Sequence, residues 1–237
     1  MLASTAHARP AACLWDFDGT VADTEPVWIG CEYELVAMLG GTWNDTHAEH
    51  LIGSDLLNAG RYILTVTGRD DLTPEWVVEW MVARVAHRLA TSEIAWRPGA
   101  LELLAALGEA GVPCALVSAS YRSLLDAVLE QLPAGTFATV VGGDEVTAGK
   151  PAPDPYLRAA AALGVDAADC VVLEDSLPGT RSGQAAGAWV IGIPNAVPLP
   201  LHPRRTVIRT LEGVTPGALF AMVGAPVADE RLVGALR

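Results

Sequence analysis

The chain has 237 residues, 51% of them hydrophobic, which is enough to fill one large domain or a core with an added lobe. Its formal net charge of −13 argues against nucleic acid or an acidic membrane surface as partner. No apolar run approaches the length of a membrane span, and the stretch from Met1 to Pro10 lacks the apolar centre of a signal peptide. Cys13, Cys31, Cys114 and Cys170 include no closely spaced pair, so reduced thiols in a cytoplasmic protein are expected.

The predicted elements begin with a strand from Ala11 to Phe17, which delivers Asp16 and Asp18 into a turn at Gly19. Two carboxylates aimed into one pocket repel unless they share a cation or a proton. A long helical pattern follows, from Thr24 to Arg97. Within it Val78, Met81, Val82, Val85 and Leu89 repeat at helical spacing and form a core stripe. Trp76, Trp80, Arg84 and Arg88 form a second row at steps of four, which is read either as outward Trp packing with cation-π stacking or as an anion-binding face. Arg61 is read either as a substrate contact or as a solvated helix residue.

After Pro98-Gly99 the pattern alternates regularly: helix 100–110, strand 114–118, helix 121–131, strand 139–141, helix 154–163, strand 171–174, helix 178–186 and strand 189–193. A short strand near 206–208 and a helix from Pro216 close the chain. Alternation of this kind predicts an α/β fold, a parallel sheet with helices on both faces. In such sheets ligands lie beyond the carboxyl ends of the strands. Four apolar runs end there in polar groups: Asp16 and Asp18, Ser118-Ala119-Ser120, the loop containing Lys150, and Glu174-Asp175-Ser176. Lys150 is the only lysine; the other 14 of the 15 basic residues are arginine. An ammonium is a compact charge with three donors, which suits a phosphoryl oxygen. Taken singly, Ser118 reads first as a strand-end residue capping a helix, and Glu174-Asp175 reads equally well as a helix cap.

In this order the segments Asp16-Phe17-Asp18-Gly19-Thr20, Ser118, Lys150 and Glu174-Asp175 resemble the four motifs of the haloacid dehalogenase superfamily, over roughly Ala11 to Pro194. Gly149-Lys150-Pro151-Ala152-Pro153-Asp154 and Glu174-Asp175-Ser176 with Gly179 are most similar to the branch of β-phosphoglucomutase and the small sugar-phosphate phosphatases. The resemblance implies a Rossmann-like catalytic core, residues 1–23 and 98–237, with an inserted all-helical cap, residues 24–97. It implies that Asp16 attacks phosphorus, that Asp18 serves as acid and then base, and that Ser118, the Ala119 N–H, Ser120 and Lys150 hold the phosphoryl group. Mg²⁺ would be held by Asp16, the Asp18 carbonyl, Asp175 and Glu174 as ligand or support, with Arg61 and Arg88 as candidate cap contacts to substrate. Trp28 stands where the mutase has a histidine, and no lysine is left for the cap. These departures favour a phosphatase acting on a small phosphorylated metabolite over a phosphomutase; a non-catalytic binder of the same ligand is the alternative of another class.

Overall fold

The computed structural model describes residues 9–52 and 54–224. Its centre is a sheet of β1 (Ala12–Trp15), β2 (Cys114–Val117), β3 (Thr139–Val141), β4 (Cys170–Glu174), β5 (Trp189–Gly192) and β6 (Arg205–Val207). The strands are all parallel, in the order β3-β2-β1-β4-β5-β6, so β1 lies in the middle with Leu14 opposite Ala115 on one side and Val172 on the other.

Side chains alternate sides along a strand, and the two faces have distinct cores. Cys13 and Trp15, Cys114 and Leu116, and Val171 and Leu173 pack into one apolar cluster. Their neighbours Ala12 and Leu14, Ala115 and Val117, and Cys170 and Val172 pack into the other. Because both faces are covered, the central strands β1 and β2 are continuous apolar runs, and β4 is one up to Glu174. The second face lies under helix α7 (Asp154–Leu163), whose Tyr156, Ala159 and Ala160 are buried. The first is covered by α5 (Ala100–Glu109) and α6 (Arg122–Leu129), with α8 (Leu177–Ala185) and α9 (Pro216–Met222) completing the fold.

Among the described residues, four helices are inserted between β1 and α5: α1 (Glu25–Met38), α2 (Asp45–Leu51), α3 (Leu56–Thr67) and α4 (Pro74–Thr91). Three start at side-chain caps: Asn44 accepts from the His47 N–H, Asp55 from Asn58, and Thr73 from Trp76, with Pro74 in the first turn. The two connecting segments run side by side, with Asp23 N–H on the Ala95 carbonyl at 2.8 Å and Arg97 N–H on Val21 at 2.9 Å. The expected stripe of α4 is buried, joined by Val77. It packs on α1, α3 and core helix α6, so the insertion and the first sheet face share one apolar cluster. Among the described residues no helix is long and apolar enough to cross a membrane.

Most predicted boundaries agree with the structure to within a residue or two. The first strand is shorter than its apolar run because Phe17 turns back: its carbonyl accepts the N–H groups of Thr20, Val21 and Ala22. Leu173, fully buried in β4, anchors this arrangement. Leu173→Ala is expected to cost about 2–5 kcal/mol of unfolding free energy in a urea titration; a loss under about 1 kcal/mol would show that this strand is not central to the core.

Candidate active site

The strand ends carry the polar groups to one edge. Asp16 follows β1, still tied to the sheet by its N–H on the Leu173 carbonyl at 3.0 Å. The chain then turns at Gly19, whose φ of +90° suits glycine and where a Cβ would lie 2.0 Å from Asp175 Oδ2. Only a residue without a side chain lets Asp175 lie over this turn.

Lys150 sits at the centre. Its Nζ donates to Asp16 Oδ1 at 2.7 Å, to Glu174 Oε1 at 2.6 Å and to the Val117 carbonyl at 3.0 Å. Glu174 is fully buried and all its acceptor capacity is engaged. Its Oε1 also accepts from the Tyr156 hydroxyl at 2.9 Å, while its Oε2 accepts from the N–H and hydroxyl of Ser176. At Gly179 a Cβ would fall 1.6 Å from Glu174 Oε1, so α8 can begin against this carboxylate only with glycine there.

Three acids surround one ammonium. Burial pushes Asp16 up to about 7, reinforced by the Glu174 charge and opposed by Lys150. Asp175 is pushed up to about 9 by burial, then by Asp16 and Glu174. Burial alone would lower Lys150, but Asp16 and Glu174 outweigh it and hold the ammonium charged. Oxygens of Asp16, Glu174 and Asp175 lie within 4.8 Å of one another, and Asp16 Oδ2 is buried with no hydrogen-bond partner. An under-neutralised set of hard oxygens with one orphaned atom fits a Mg²⁺ ion. With Glu174 occupied by four donors, Asp16 and Asp175 are the carboxylates with capacity left for direct ligation.

Asp18 faces another set of partners. Its Oδ2 accepts from Ser118 Oγ at 2.9 Å and Ser120 Oγ at 2.8 Å; its Oδ1 accepts from Thr24 Oγ1 at 2.6 Å and Trp28 Nε1 at 3.2 Å. Asp16 and Asp18 therefore serve different partners two residues apart. Ser118 and Ser120, expected to contact substrate, are hydrogen-bonded to Asp18. Between them the Ala119 N–H has no partner among the described residues and is open to an anion.

The expected cap contacts have other partners. Arg88 does not stand alone on an anion-binding face: it and Arg84 clamp Glu34 of α1, at 2.7 and 2.8 Å, because α1 and α4 pack side by side. The same ion pairs replace the expected stacking on Trp76 and Trp80. Arg61 donates to Asn58, one turn back on the surface of α3. The sequence reading missed Thr24, Tyr156 and Ser176 as site residues and took Trp28 only as a lost histidine. Ser176 had a usable signal, as the N-cap of α8 beside two acids.

This arrangement of strand-end acids around a lysine agrees with sequence comparison. Residues 13–193 match the profile of the haloacid dehalogenase-like hydrolases, and the chain belongs to that family. It is 32% identical over 198 residues to a bifunctional riboflavin kinase/FMN phosphatase of Arabidopsis thaliana, covering 82% of this chain and 52% of that protein, so it spans about half of that relative. It is 31% identical over 207 residues to hexitol phosphatase A of Escherichia coli, covering 85% and 92% of the two chains. Among solved structures it is similar to CbbY from Rhodobacter sphaeroides in complex with phosphate, with a TM-score of 0.76, 27% identity and coverage of 86% and 96%.

The raised acids give a pH dependence. Asp16 and Asp175 hold protons in the folded chain that the unfolded chain releases above 3.8, so metal-free stability falls as pH rises through about 7 and about 9. Mg²⁺ binds the ionised carboxylates. Its stabilisation, several degrees in Tm at saturation, is expected to be larger near about pH 9 than near about pH 6. Differential scanning fluorimetry with Mg²⁺ or EDTA reads this; equal shifts at both pH values would contradict the assignment of Asp16 and Asp175 as ligands.

Proposed function

We propose that the protein is a Mg²⁺-dependent phosphatase that hydrolyses a small phosphate monoester, of a sugar or related metabolite, through an aspartyl phosphate on Asp16. The observation that carries this reading is the division of the two acids: Asp16 lies in the lysine and carboxylate cluster, while Asp18 is held apart by hydroxyl and indole donors. Titratable groups kept in contrasting environments are the pattern of paired nucleophile and acid/base. The similarity to hexitol and FMN phosphatases supports phosphate monoesters as the substrate class.

The chemistry follows from these positions. The Ala119 N–H donates to a phosphoryl oxygen and the Lys150 ammonium, its three N–H groups on Asp16, Glu174 and Val117, supplies positive charge beside it, since phosphoryl transfer depends on positioning and charge neutralisation. The Asp16 carboxylate attacks phosphorus and the ester P–O bond breaks; Asp18 gives its proton to the departing alkoxide. Asp18, now ionised, takes a proton from water as that oxygen attacks phosphorus, and the bond to Asp16 breaks, returning a free carboxylate. Hydroxyls both donate and accept, so Ser118, Ser120 and Thr24 can hold Asp18 in either protonation state. Mg²⁺ would be held by Asp16 and Asp175 and would supply positive charge beside Asp16 and the phosphoryl oxygens.

The test is phosphate release from p-nitrophenyl phosphate and a panel of sugar, polyol and nucleotide monophosphates, with Mg²⁺ and with EDTA. Release is expected with Mg²⁺ only, and Asp16→Asn is expected to lower it by several orders of magnitude with the fold intact. A variant retaining more than about a tenth of the wild-type rate would sink the nucleophile assignment.

A further inference from the structure

Helix α1 carries a row that the reaction chemistry leaves without a role. Glu25, Trp28 and Glu32 are spaced three and four apart and share one face. Trp28 donates its indole N–H to Asp18, which places the middle residue of the row against the site. One turn further, about 6 Å along the axis, stands Glu32, only 7% exposed. Its Oε2 accepts a long bond of 3.3 Å from Trp43 Nε1, and its Oε1 accepts none among the described residues. Burial pushes this carboxyl up to about 7; the Trp43 bond opposes the shift and Glu25 adds to it. No cation pairs with it among the described residues. A buried carboxylate with an unfilled acceptor is costly to the free protein and rewards a ligand that brings donors.

The rest of the insertion offers little to a second phosphate. It contains no lysine. Each of its arginines has a partner: Arg61 the Asn58 amide, Arg69 the Asp71 carboxylate, Arg84 and Arg88 the Glu34 carboxylate, and Arg97 the Asn195 amide and the Pro194 carbonyl. This helix face therefore presents an aromatic ring against Asp18 and, one turn on, an acceptor, while Arg69, Arg84 and Arg88 of the insertion are paired with carboxylates. Aromatic walls with a few placed polar groups are the usual lining of small-molecule sites.

We propose that Glu32, with Trp28 beside it, determines specificity by accepting hydrogen bonds from the hydroxyl-bearing end of a monophosphorylated polyol or sugar and disfavouring a second phosphate there. The proposal rests on the phosphatase reading only in placing the phosphoryl end at Asp16. Trp28 is the spacer between the two ends: its indole holds Asp18, while its ring faces the carbon chain.

The experiment uses the full chain carrying Asp16→Asn, with Mg²⁺, and measures by isothermal titration calorimetry the binding of sorbitol 6-phosphate, fructose 1,6-bisphosphate and inorganic phosphate. The parent is expected to bind the polyol monophosphate at least about tenfold more tightly than the bisphosphate. Adding Glu32→Leu should cut the ratio of sorbitol 6-phosphate to inorganic phosphate affinity by about tenfold, the scale of a charged hydrogen bond, with phosphate affinity unchanged. Glu32→Gln, equal in shape, should lower the ratio in the same direction and serves if the leucine variant does not fold. An unchanged ratio in the folded variants, a bisphosphate bound as tightly as the monophosphate, or no binding of any of the three would overturn the proposal. Failure of the phosphatase reading is seen separately, as wild-type protein that releases no phosphate from p-nitrophenyl phosphate.

Discussion

The contact on which the other site features depend is Lys150 between Asp16 and Glu174. The ammonium joins three strand ends: the acid after β1, the last carbonyl of β2 and the acid that ends β4, reaching them from the loop after β3. Lys150 and both carboxylates are nearly or fully buried, so desolvation is large and the pairing must be hydrogen-bonded throughout to be tolerated. Glu174 meets that demand with its four donors. Asp16 does not, since one oxygen is orphaned, and Asp175 adds a further negative charge. The site is thus stable enough to form and still under-neutralised, a condition that favours binding of a cation and a phosphoryl group together.

The sheet makes this placement possible. Because β1 is central, its carboxyl end is flanked by β2 and β4, and an acid leaving it meets groups from both sides. The strict alternation into two apolar clusters fixes register, for a slip of one residue would exchange Trp15 and Leu14 between the faces. The small side chains of α7 allow that helix to lie close to the sheet, and Tyr156 on the same helix reaches Glu174. Packing on the far face and the order of the catalytic edge are therefore linked through one residue.

Much of this was legible in the sequence, and the reasons are physical. The apolar runs that end in Asp16, Ser118 and Glu174 are short and bounded by polar residues, which marks buried parallel strands, and a lone lysine in a Gly/Pro-rich loop stands out by count. The α4 stripe was legible because periodicity identifies a buried face. Periodicity does not say which helix lies opposite, and so Arg84 and Arg88 were assigned to substrate or to tryptophan when their partner is Glu34, fifty or more positions earlier in the chain. The same limit hid the role of Thr24 and Trp28, whose contact with Asp18 depends on how α1 leaves the turn. Glu174 was legible as part of the cluster, but its saturation by Tyr156 and Ser176 requires knowing where α7 and α8 begin.

Asp18 shows how the inserted helices enter the chemistry. Among the described residues, one of its oxygens accepts from the core, Ser118 and Ser120, and the other from the start of the insertion, Thr24 and Trp28. The carboxylate is therefore a joint between the two parts, and a displacement of α1 would remove donors from one oxygen while leaving the other in place. Hydroxyl donors can reverse their role when Asp18 is protonated, whereas the indole can only donate. The Trp28 bond therefore ties one oxygen of Asp18 to the posture of α1. That donor lies on the helix face that carries Glu32, so the position of α1 bears on both the Asp18 carboxylate and the space next to it.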